Sequence, residues 1–427
     1  MTESEAIAYI ESYGWSAVRL GLDRTRQLVH ELMDPQKKLK FIHVAGSNGK
    51  GSTCAMFASI LRKAGFKTGL YTSPYIETFN ERIQINGIPI SGDRLASVTE
   101  KVRDIADKME DHPSQFELVT AIAIQYFYEE ECDIVVFEVG MGGALDSTNV
   151  IDAPELAVLT NIGLEHTEYL GSTLEEIALT KAGIIKAGCS CICYDGADKV
   201  NETIEKVCRE KRVPLRISDF SKLRLIDSTI DGQRFSWDDE EYYLSLIGPH
   251  QLHNAALVLT GIEVLRERGF NIPEASVHDG LSEVIWPARL EVLSKTPLFI
   301  LDGGHNPQCA RALADSLGLL LNGQKSVFLM GVLADKNYEE MIDSVIPYAS
   351  LFVCVTVDSS RALKASDLSR CIEERGFTAV TCDTVFEGID KALKLSKGTE
   401  PVVAFGSLYM AGAIRYGLNK LLQSNDQ

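Results

Sequence analysis

The chain has 427 residues, of which 45% are hydrophobic and 24% are charged, and its formal net charge at pH 7 is −18. This length is too great for one ordinary core and fits two domains, and the composition is that of a soluble globular protein. The negative charge argues against a nucleic-acid partner, because such a partner is held by basic contacts to phosphate. An anionic ligand would need local cations, metal ions and backbone N–H groups.

The N-terminal stretch MTESEAIAYIESYGW has neither the basic region nor the apolar region of a signal peptide. No run approaches the length of about 18 apolar residues that a transmembrane helix needs, so we expect a cytoplasmic protein with no membrane partner. The ten cysteines form no zinc-type pair, and the stretch CSCIC at 189–193 alternates like a strand. We interpret these cysteines as small buried hydrophobes rather than as a metal or redox site.

In chain order, the first forty residues carry apolar residues at helical spacing, and strands then alternate with helices. The predicted strands of the N-terminal half, with their flanking turns, are KFIHVAG, KTGLYTSP, DIVVFEVG, LAVLTNIG and CSCICYDG. Predicted helices between them include STCAMFASILRKAGF, FELVTAIAIQYFYEEE and TLEEIALTKAGII. The alternation predicts an α/β fold whose parallel sheet is covered on both faces.

From about residue 215 to 247 the sequence is polar, alternating and rich in turn residues, which predicts a small antiparallel β insertion. A helix follows at HQLHNAALVLTGIEVLRERG, and the alternation restarts with the predicted strands LFILDGGHNP, KSVFLMGV, LFVCVTV and PVVAFGS. We place the boundary near Ser294–Pro297. The sequence therefore predicts two α/β domains, 1–294 and 295–427, with a cleft between them as the ligand site.

The stretch GSNGKGS at 46–52 lies between a predicted strand and a predicted helix. It is shorter than the usual phosphate loop but has the same parts. Its glycines permit positive φ and close backbone approach, so that N–H groups can surround an anion at a helix N-terminus. Lys50 can reach the β- and γ-phosphates, and the hydroxyl of Ser52 can face Mg²⁺. The pattern predicts a nucleotide site rather than a glycine-rich surface turn.

Three further residues lie where they could serve this nucleotide. Glu138 ends the strand DIVVFEVG, at the place where a second acidic ligand for Mg²⁺ is needed. His166 follows the next strand, and beside Glu138 it favours a metal or phosphate role. Lys181 lies among apolar residues, where a neutral lysine would be nucleophilic and CO₂ could convert it to a carbamate ligand. The residues alone favour an unmodified lysine over this carbamate.

The predicted second domain carries a loop, DGGHNP at 302–307, that combines an acid, two glycines and an imidazole after a strand. Loops at this position usually line the ligand site of an α/β fold. Arg289, in WPARLEV, precedes the predicted boundary, and its guanidinium could clamp a phosphate when the domains close.

A longer set of segments occurs in a fixed order: HVAGSNGKGS, YTSPYIETFNERIQINGIPIS, FEVGMGGALDSTN, NIGLEHTEYLGSTLEEIALTKAGIIK, HQLHNAA, PARLEV, LDGGHNP and GVLADK. Together they resemble the folylpolyglutamate synthase/dihydrofolate synthase branch of the Mur ligase superfamily, from about Gly21 to Gly406. The ordered set is specific, whereas the glycine loop alone identifies only a nucleotide site. Many relatives have Arg in place of Ala144 and Asp in place of Glu165, and the loss of the arginine puts one pterin- or phosphate-side contact in doubt.

The resemblance implies an ATP-dependent amide ligase that adds L-glutamate to the carboxylate of folates, and also of dihydropteroate, through an acyl phosphate. It also implies a Rossmann-like, doubly wound C-terminal domain, a monomer and two Mg²⁺ ions. The implied contacts to ATP are made by Asn48, Gly49, Lys50, Gly51, Ser52, Asn254, Arg289, Asp302 and His305. The implied Mg²⁺ ligands are Ser73, Glu138, His166 and a carbamylated Lys181, and the implied catalytic residues are Lys50, Glu138, His166 and Lys181.

Other classes of protein fit the sequence less well. A GTPase needs a guanine-reading [NT]KxD motif, which does not occur. A small-molecule kinase would share ATP and Mg²⁺ but would not need glutamate. A Mur-type ligase acting on a peptidoglycan precursor would normally carry a separate N-terminal domain, whereas about forty residues precede the predicted phosphate-loop strand. A non-catalytic nucleotide-binding protein would not need the metal ligands. The choice between the two folate activities, and the base that deprotonates glutamate, stay open.

Overall fold

The computed structural model describes residues 1–14 and 21–425; residues 15–20, inside the predicted helical N-terminal region, and residues 426–427 lie outside the described residues. The chain divides into two compact units. The first unit comprises Met1–Leu223, Trp237–Tyr242 and His253–Val284, and the second comprises Arg224–Ser236, Tyr243–Leu252 and Ile285–Gln427. The division at 294/295 stays a prediction.

The first unit is built on an eight-stranded sheet. Its strands are β1 (Phe41–Ala45), β2 (Thr68–Tyr71), β3 (Ile83–Ile85), β4 (Ile88–Pro89), β5 (Ile134–Glu138), β6 (Leu156–Leu159), β7 (Ser190–Cys193) and β8 (Leu215–Ile217). Their spatial order is β4-β3-β2-β5-β1-β6-β7-β8. All neighbours from β2 to β8 pair in parallel, and β3 and β4 add an antiparallel edge. Every residue of β1, β2, β5, β6 and β7 is buried, which confirms the predicted sheet covered on both faces.

The helices up to residue 284 are α1 (Glu3–Ser12), α2 (Asp23–Glu31), α3 (Lys50–Lys63), α4 (Gly92–Ala106), α5 (Gln115–Glu129), α6 (Thr167–Leu170), α7 (Leu174–Lys181), α8 (Asp198–Lys211), α9 (Pro249–Glu267) and α10 (Glu274–Ser282). Four of these helices begin with a side-chain N-cap, from Thr2, Ser91, Ser114 and Thr173. Thr2, Ser114 and Thr173 each form a capping box with a glutamate three residues later. The box at Thr173 fixes the start of α7, which ends at Lys181 rather than continuing to Ile185 as predicted.

A smaller, three-stranded sheet contains β9 (Leu223–Thr229), β10 (Gly232–Trp237) and β11 (Glu240–Leu244), in the order β11-β10-β9. Asp238 and Asp239 both have positive φ, as in the two-residue turn of an antiparallel hairpin. The predicted start of this insertion at residue 215 is wrong, because β8 pairs in parallel with β7 and belongs to the large sheet. This short edge strand is only half-buried, so its sequence shows no apolar run.

The second unit has a six-stranded sheet that confirms the predicted doubly wound fold. Its strands are β12 (Glu291–Lys295), β13 (Leu298–Asp302), β14 (Ser326–Met330), β15 (Ala349–Val355), β16 (Ala379–Cys382) and β17 (Val402–Phe405), in the order β12-β13-β17-β14-β15-β16. Its helices are α11 (Pro307–Leu320), α12 (Tyr338–Val345), α13 (Ala365–Glu373), α14 (Val385–Leu395) and α15 (Ala411–Asn425). The sequence did not predict β12 and β16, since both are edge strands with no fully buried residue.

The cysteines are all free thiols. Those at 189, 191 and 193 are buried at β7, as the alternation predicted. The partly exposed thiols are Cys309, Cys371 and Cys382. Within residues 1–14 and 21–425, no three His, Cys, Asp or Glu side chains gather into a group that could hold a metal ion. Over the same part of the chain, every helix is too short or too polar to cross a bilayer.

We expect the buried His43 of β1 to make the protein less stable as the pH falls. Burial lowers the pKa of His43 from 6.5 to about 3, so between these values the unfolded chain binds a proton that the folded protein does not. At pH 5 this difference should cost about 2 kcal/mol of the free energy of unfolding relative to pH 7.5. Urea denaturation of His43→Gln at both pH values should show a loss smaller by that amount. An unchanged loss in His43→Gln would contradict the assignment.

Candidate active site

The glycine loop lies where the sequence placed it, between the end of β1 at Ala45 and the start of α3 at Lys50. Its backbone is tied to the segment after β6, because the N–H of Ser47 donates to the carbonyl of Asn161 at 2.8 Å. A Cβ added to Gly46 would lie 1.7 Å from the side-chain oxygen of Thr160. The loop therefore packs directly on its neighbours and depends on glycine at this position.

A second close approach joins the loop to α9. Gly49 has φ +85°, and a Cβ there would lie 2.6 Å from Oδ1 of Asn254. Asn254 is buried, so the structure brings this predicted nucleotide contact to the start of α3. Ser52, in the first turn of that helix, is also buried. Asn48 lies in the loop itself, and its carbonyl accepts a hydrogen bond from Thr160 Oγ1 at 2.8 Å.

Two lysines meet at one backbone oxygen of the loop. Lys50 Nζ donates to the carbonyl of Gly46 at 3.0 Å, and Lys181 Nζ donates to the same oxygen at 2.8 Å. Lys181 also pairs with Glu165, with 2.6 Å between Nζ and Oε1. The predicted phosphate-binding lysine and the predicted carbamate lysine are thus neighbours, and Glu165 is the carboxylate that pairs with Lys181.

Burial and neighbouring charges together set the protonation of Lys181 and Glu165. Lys181 is only 1% exposed, and burial lowers the pKa of its ammonium to about 8, although Glu165 opposes that shift. Burial alone would raise the pKa of Glu165, but the charges of Lys50 and Lys181 outweigh it and hold the pKa at about 2. At neutral pH Glu165 is therefore ionised, and a fraction of Lys181 is neutral and nucleophilic.

The carboxylate of Glu138 lies on the other side of the loop. It ends β5, which pairs with β1 so that Glu138 lies opposite Val44. Its side chain is 4% exposed, and its Oε2 accepts the backbone N–H of Ser73 at 2.9 Å. Burial raises the pKa of the Cys54 thiol on α3, the charge of Glu138 raises it further, and the charge of Lys50 opposes the shift.

The oxygen donors present suit a hard cation. The carboxylate of Glu138 and the hydroxyl of the adjacent Ser73 are ligands that Mg²⁺ accepts. Lys181 as an ammonium is a donor only, so it could bind a cation only after carbamylation. His166 is exposed, with φ +43°, at the start of α6. Its role as a ligand stays a prediction.

In the second unit, the structure joins the remaining predicted residues through their backbones. Asp302 ends β13 and is buried; its Oδ2 accepts the N–H of Leu290 at 3.0 Å, and its Oδ1 accepts that of Gly304 at 2.8 Å. Arg289 lies between two left-handed residues, Ala288 and Leu290, a conformation that a leucine rarely adopts. Asp302 thus holds the backbone on which Arg289 is carried.

His305 belongs to the same arrangement. Its Nδ1 lies 3.2 Å from the carbonyl of Gly303, and the N–H of Gly303 donates to the carbonyl of Ala288 at 2.8 Å. The DGGHNP loop and the 288–290 segment therefore form one hydrogen-bonded group. The nucleotide contacts expected of Arg289, Asp302 and His305 stay predictions.

The sequence did not predict two residues that shape this site. Glu165 was noted only as a departure from relatives, yet it is the ion-pair partner of Lys181. A carboxylate beside His166, near a lysine that the sequence predicts to be buried, was the signal that could have identified it. Thr160 supports the glycine loop through its hydroxyl, and no sequence pattern singles it out.

A glycine loop between a buried parallel strand and a helix, with a buried carboxylate and a buried lysine nearby, is typical of a nucleotide-binding α/β domain, and two family models give its class as a Mur ligase. Residues 44–261 match the Mur ligase middle domain, and residues 288–408 match the Mur ligase glutamate ligase domain. The chain is 35% identical to a dihydrofolate synthase/folylpolyglutamate synthase of Bacillus subtilis, over 96% of this chain and 98% of that protein. The chain belongs to the folylpolyglutamate synthase/dihydrofolate synthase family.

Solved structures agree over the whole chain. A Mycobacterium tuberculosis folylpolyglutamate synthase complexed with ADP and AMPPCP superposes with a TM-score of 0.88 at 30% identity, covering 97% of this chain and 98% of that one. Escherichia coli FolC in complex with DHPP and ADP superposes with a TM-score of 0.85 at 27% identity, covering 100% and 99%. Both relatives are complexed with ADP, in agreement with the predicted ATP binding, whereas the residues assigned to the nucleotide stay a prediction.

Replacing Gly49 with alanine should weaken nucleotide binding, because the new Cβ meets Asn254 at 2.6 Å on a backbone of φ +85°. We expect the Kd for ADP, measured by calorimetry, to rise about tenfold or more. Gly65→Ala is the matched control, since Gly65 has φ +92° and nothing within 4 Å of the added atom. Equal ADP affinities in the two variants would show that the contact with Asn254 does not matter.

Proposed function

We propose that this protein uses ATP to join the amine of L-glutamate to a carboxylate of a folate, and also to the carboxylate of dihydropteroate. The observation that carries the proposal is that Lys50 and the buried Lys181 both donate to the carbonyl of Gly46, the first residue of the loop that the sequence assigns to phosphate. Support comes from relatives named for these two activities that match almost the full chain. The structure of FolC in complex with DHPP and ADP supports a second ligand besides the nucleotide.

The site must activate the carboxylate of the acceptor, which is a poor electrophile. A carboxylate does not condense with an amine in water, so its oxygen first attacks the γ-phosphorus of ATP, which forms an acyl phosphate and ADP. The amine of glutamate then attacks the acyl carbon, and the tetrahedral intermediate expels phosphate and leaves the amide. Positioning and charge neutralisation supply most of the rate.

The residues of this chain would have distinct roles in these reaction steps. The N–H groups of the 46–52 loop and the ammonium of Lys50 would hold the phosphates and offset the charge of the transferring group. Ser73, Glu138, His166 and carbamylated Lys181 would hold Mg²⁺. When bound, Mg²⁺ would neutralise charge on the phosphoryl group and on the acceptor carboxylate. Arg289, Asp302 and His305 would complete the nucleotide contacts, and the enzyme would act as a monomer.

The decisive assay combines phosphate release with mass spectrometry of the products. With ATP, Mg²⁺ and L-glutamate, we expect glutamate-dependent phosphate release and a gain of one glutamyl unit on both tetrahydrofolate and dihydropteroate. Lys50→Ala should lower turnover by about a hundredfold or more, because phosphoryl transfer loses its closest cation, whereas Lys63→Ala at the other end of α3 should not. A gain on only one acceptor would restrict the activity to that acceptor, and phosphate release without any glutamyl product would indicate a kinase.

Carbamylation of Lys181 has its own test. Only the neutral amine reacts with CO₂, so a carbamate signal in ¹³C NMR with labelled bicarbonate should grow as the pH rises through about 8. Lys186 is the matched control, because burial lowers the pKa of its ammonium to about 8 as well. The signal should vanish in Lys181→Ala and persist in Lys186→Ala. Added short carboxylates should partly restore the turnover of Lys181→Ala, and a signal that persists in Lys181→Ala would exclude this carbamate.

A further inference from the structure

A buried histidine in the strand beneath the phosphate loop is connected to the loop that follows Glu138. His43, on β1, is fully buried, and its Nε2 lies 2.9 Å from the hydroxyl oxygen of Thr148. That hydroxyl donates to Oδ1 of Asp146 at 2.5 Å. Both Thr148 and Asp146 are themselves buried. Three polar side chains from two segments thus form a continuous hydrogen-bonded chain inside an apolar core.

The protons available to these three side chains determine which group donates and which accepts in each hydrogen bond. The Thr148 hydroxyl has one proton, which it donates to the carboxylate, so its oxygen must accept from His43. The imidazole is therefore the neutral tautomer with its proton on Nε2. Nδ1 has no hydrogen-bond partner within the part of the chain that the structure describes, and no other described group competes to set the tautomer. The hydroxyl oxygen of Thr148 therefore needs a hydrogen-bond donor at the position of His43 Nε2.

Asp146 in turn organises the loop that links β5 to the segment before β6. Its Oδ2 accepts the N–H of Met141 at 2.8 Å, and its Oδ1 accepts the N–H of Thr148 at 3.0 Å. These bonds hold both ends of the 141–148 turn on one carboxylate. A buried carboxylate with this many donors rigidifies the backbone around it.

The same loop touches the end of α7, which carries Lys181. The N–H of Ala144 donates to the carbonyl of Thr180 at 2.9 Å. Gly143 approaches so closely that a Cβ there would lie 2.8 Å from the carbonyl oxygen of Lys181. The position of Lys181 is therefore set by a loop whose shape Asp146 determines.

We propose that His43 is a positioning residue for the ligase reaction: as a neutral Nε2–H donor it orients Thr148 and Asp146, and so fixes the loop that sets Lys181 relative to Glu138. The proposal rests on the proposed function for its catalytic readout. His43 touches no reacting group; it acts through Thr148, and it connects the strand that carries the phosphate loop to both candidate metal-binding positions.

The test compares variants that remove the relay with variants that keep it. His43→Leu and Thr148→Val should each lower kcat about tenfold, with the KM for ATP changed less than about twofold. His43→Gln retains an amide N–H near the Nε2 position, and Thr148→Ser retains the hydroxyl, so both should keep kcat within about threefold of the wild type. The double variant His43→Leu/Thr148→Val should be no slower than either single variant, because the two residues act in series.

Thr120→Val is the control for a merely structural effect. The Thr120 hydroxyl is also buried and lies 3.2 Å from that of Tyr71, outside the relay. This variant should lower the unfolding midpoint without lowering kcat. Equal losses of kcat in Thr120→Val and Thr148→Val, or a His43→Gln variant as slow as His43→Leu, would overturn the proposal.

A readout independent of activity is the ¹⁵N spectrum of labelled histidine. The resonance that disappears in His43→Gln should have the shifts of a neutral Nε2–H ring, and an Nδ1–H tautomer would overturn the assignment. A wild-type protein that makes no glutamyl product would overturn the proposed function together with the positioning role. An active wild type with additive His43 and Thr148 effects would overturn the positioning role alone.

Discussion

The site depends on how closely the backbone of the 46–52 loop approaches its neighbours. No side chain fits at Gly46 beside Thr160 or at Gly49 beside Asn254, so the peptide groups themselves form the surface that a ligand meets. The same closeness exposes the Gly46 carbonyl to Lys50 and Lys181. Loop conformation, the position of α9 and the meeting of two cations follow from this one steric constraint.

The carboxylate of Glu165 offsets part of the positive charge of Lys50 and Lys181. Glu165 lies 2.6 Å from Lys181, and two neighbouring lysines hold its pKa low. Carbamylation would replace the positive charge of Lys181 by a negative one beside this carboxylate. A buried anion and a partly buried one would then lie together, which is unfavourable unless cations join them. The proposed carbamate of Lys181 and the proposed Mg²⁺ are therefore linked, because the carbamate would need a cation beside it.

The sequence predicted the buried parallel strands and the glycine loop because each has a strong local pattern: a continuous apolar run, or glycines at fixed offsets before a helix. It misplaced β8 and did not predict β16, since edge strands are half solvated and lack such runs. Within the site, Lys50, Glu138 and Lys181 could be selected by position. Glu165 as partner of Lys181, and Thr160 as support of the loop, depend on contacts between distant segments, which no local pattern contains.

The distribution of thiols determines where a chemical label would attach to the protein. Every cysteine of the first unit is buried, whereas the partly exposed Cys309, Cys371 and Cys382 all belong to the second. A thiol-reactive fluorophore added to the folded, unmodified chain would therefore attach to the second unit, which carries Asp302, and leave the 46–52 loop unlabelled. Ligand binding could therefore be followed by fluorescence without replacing any native cysteine.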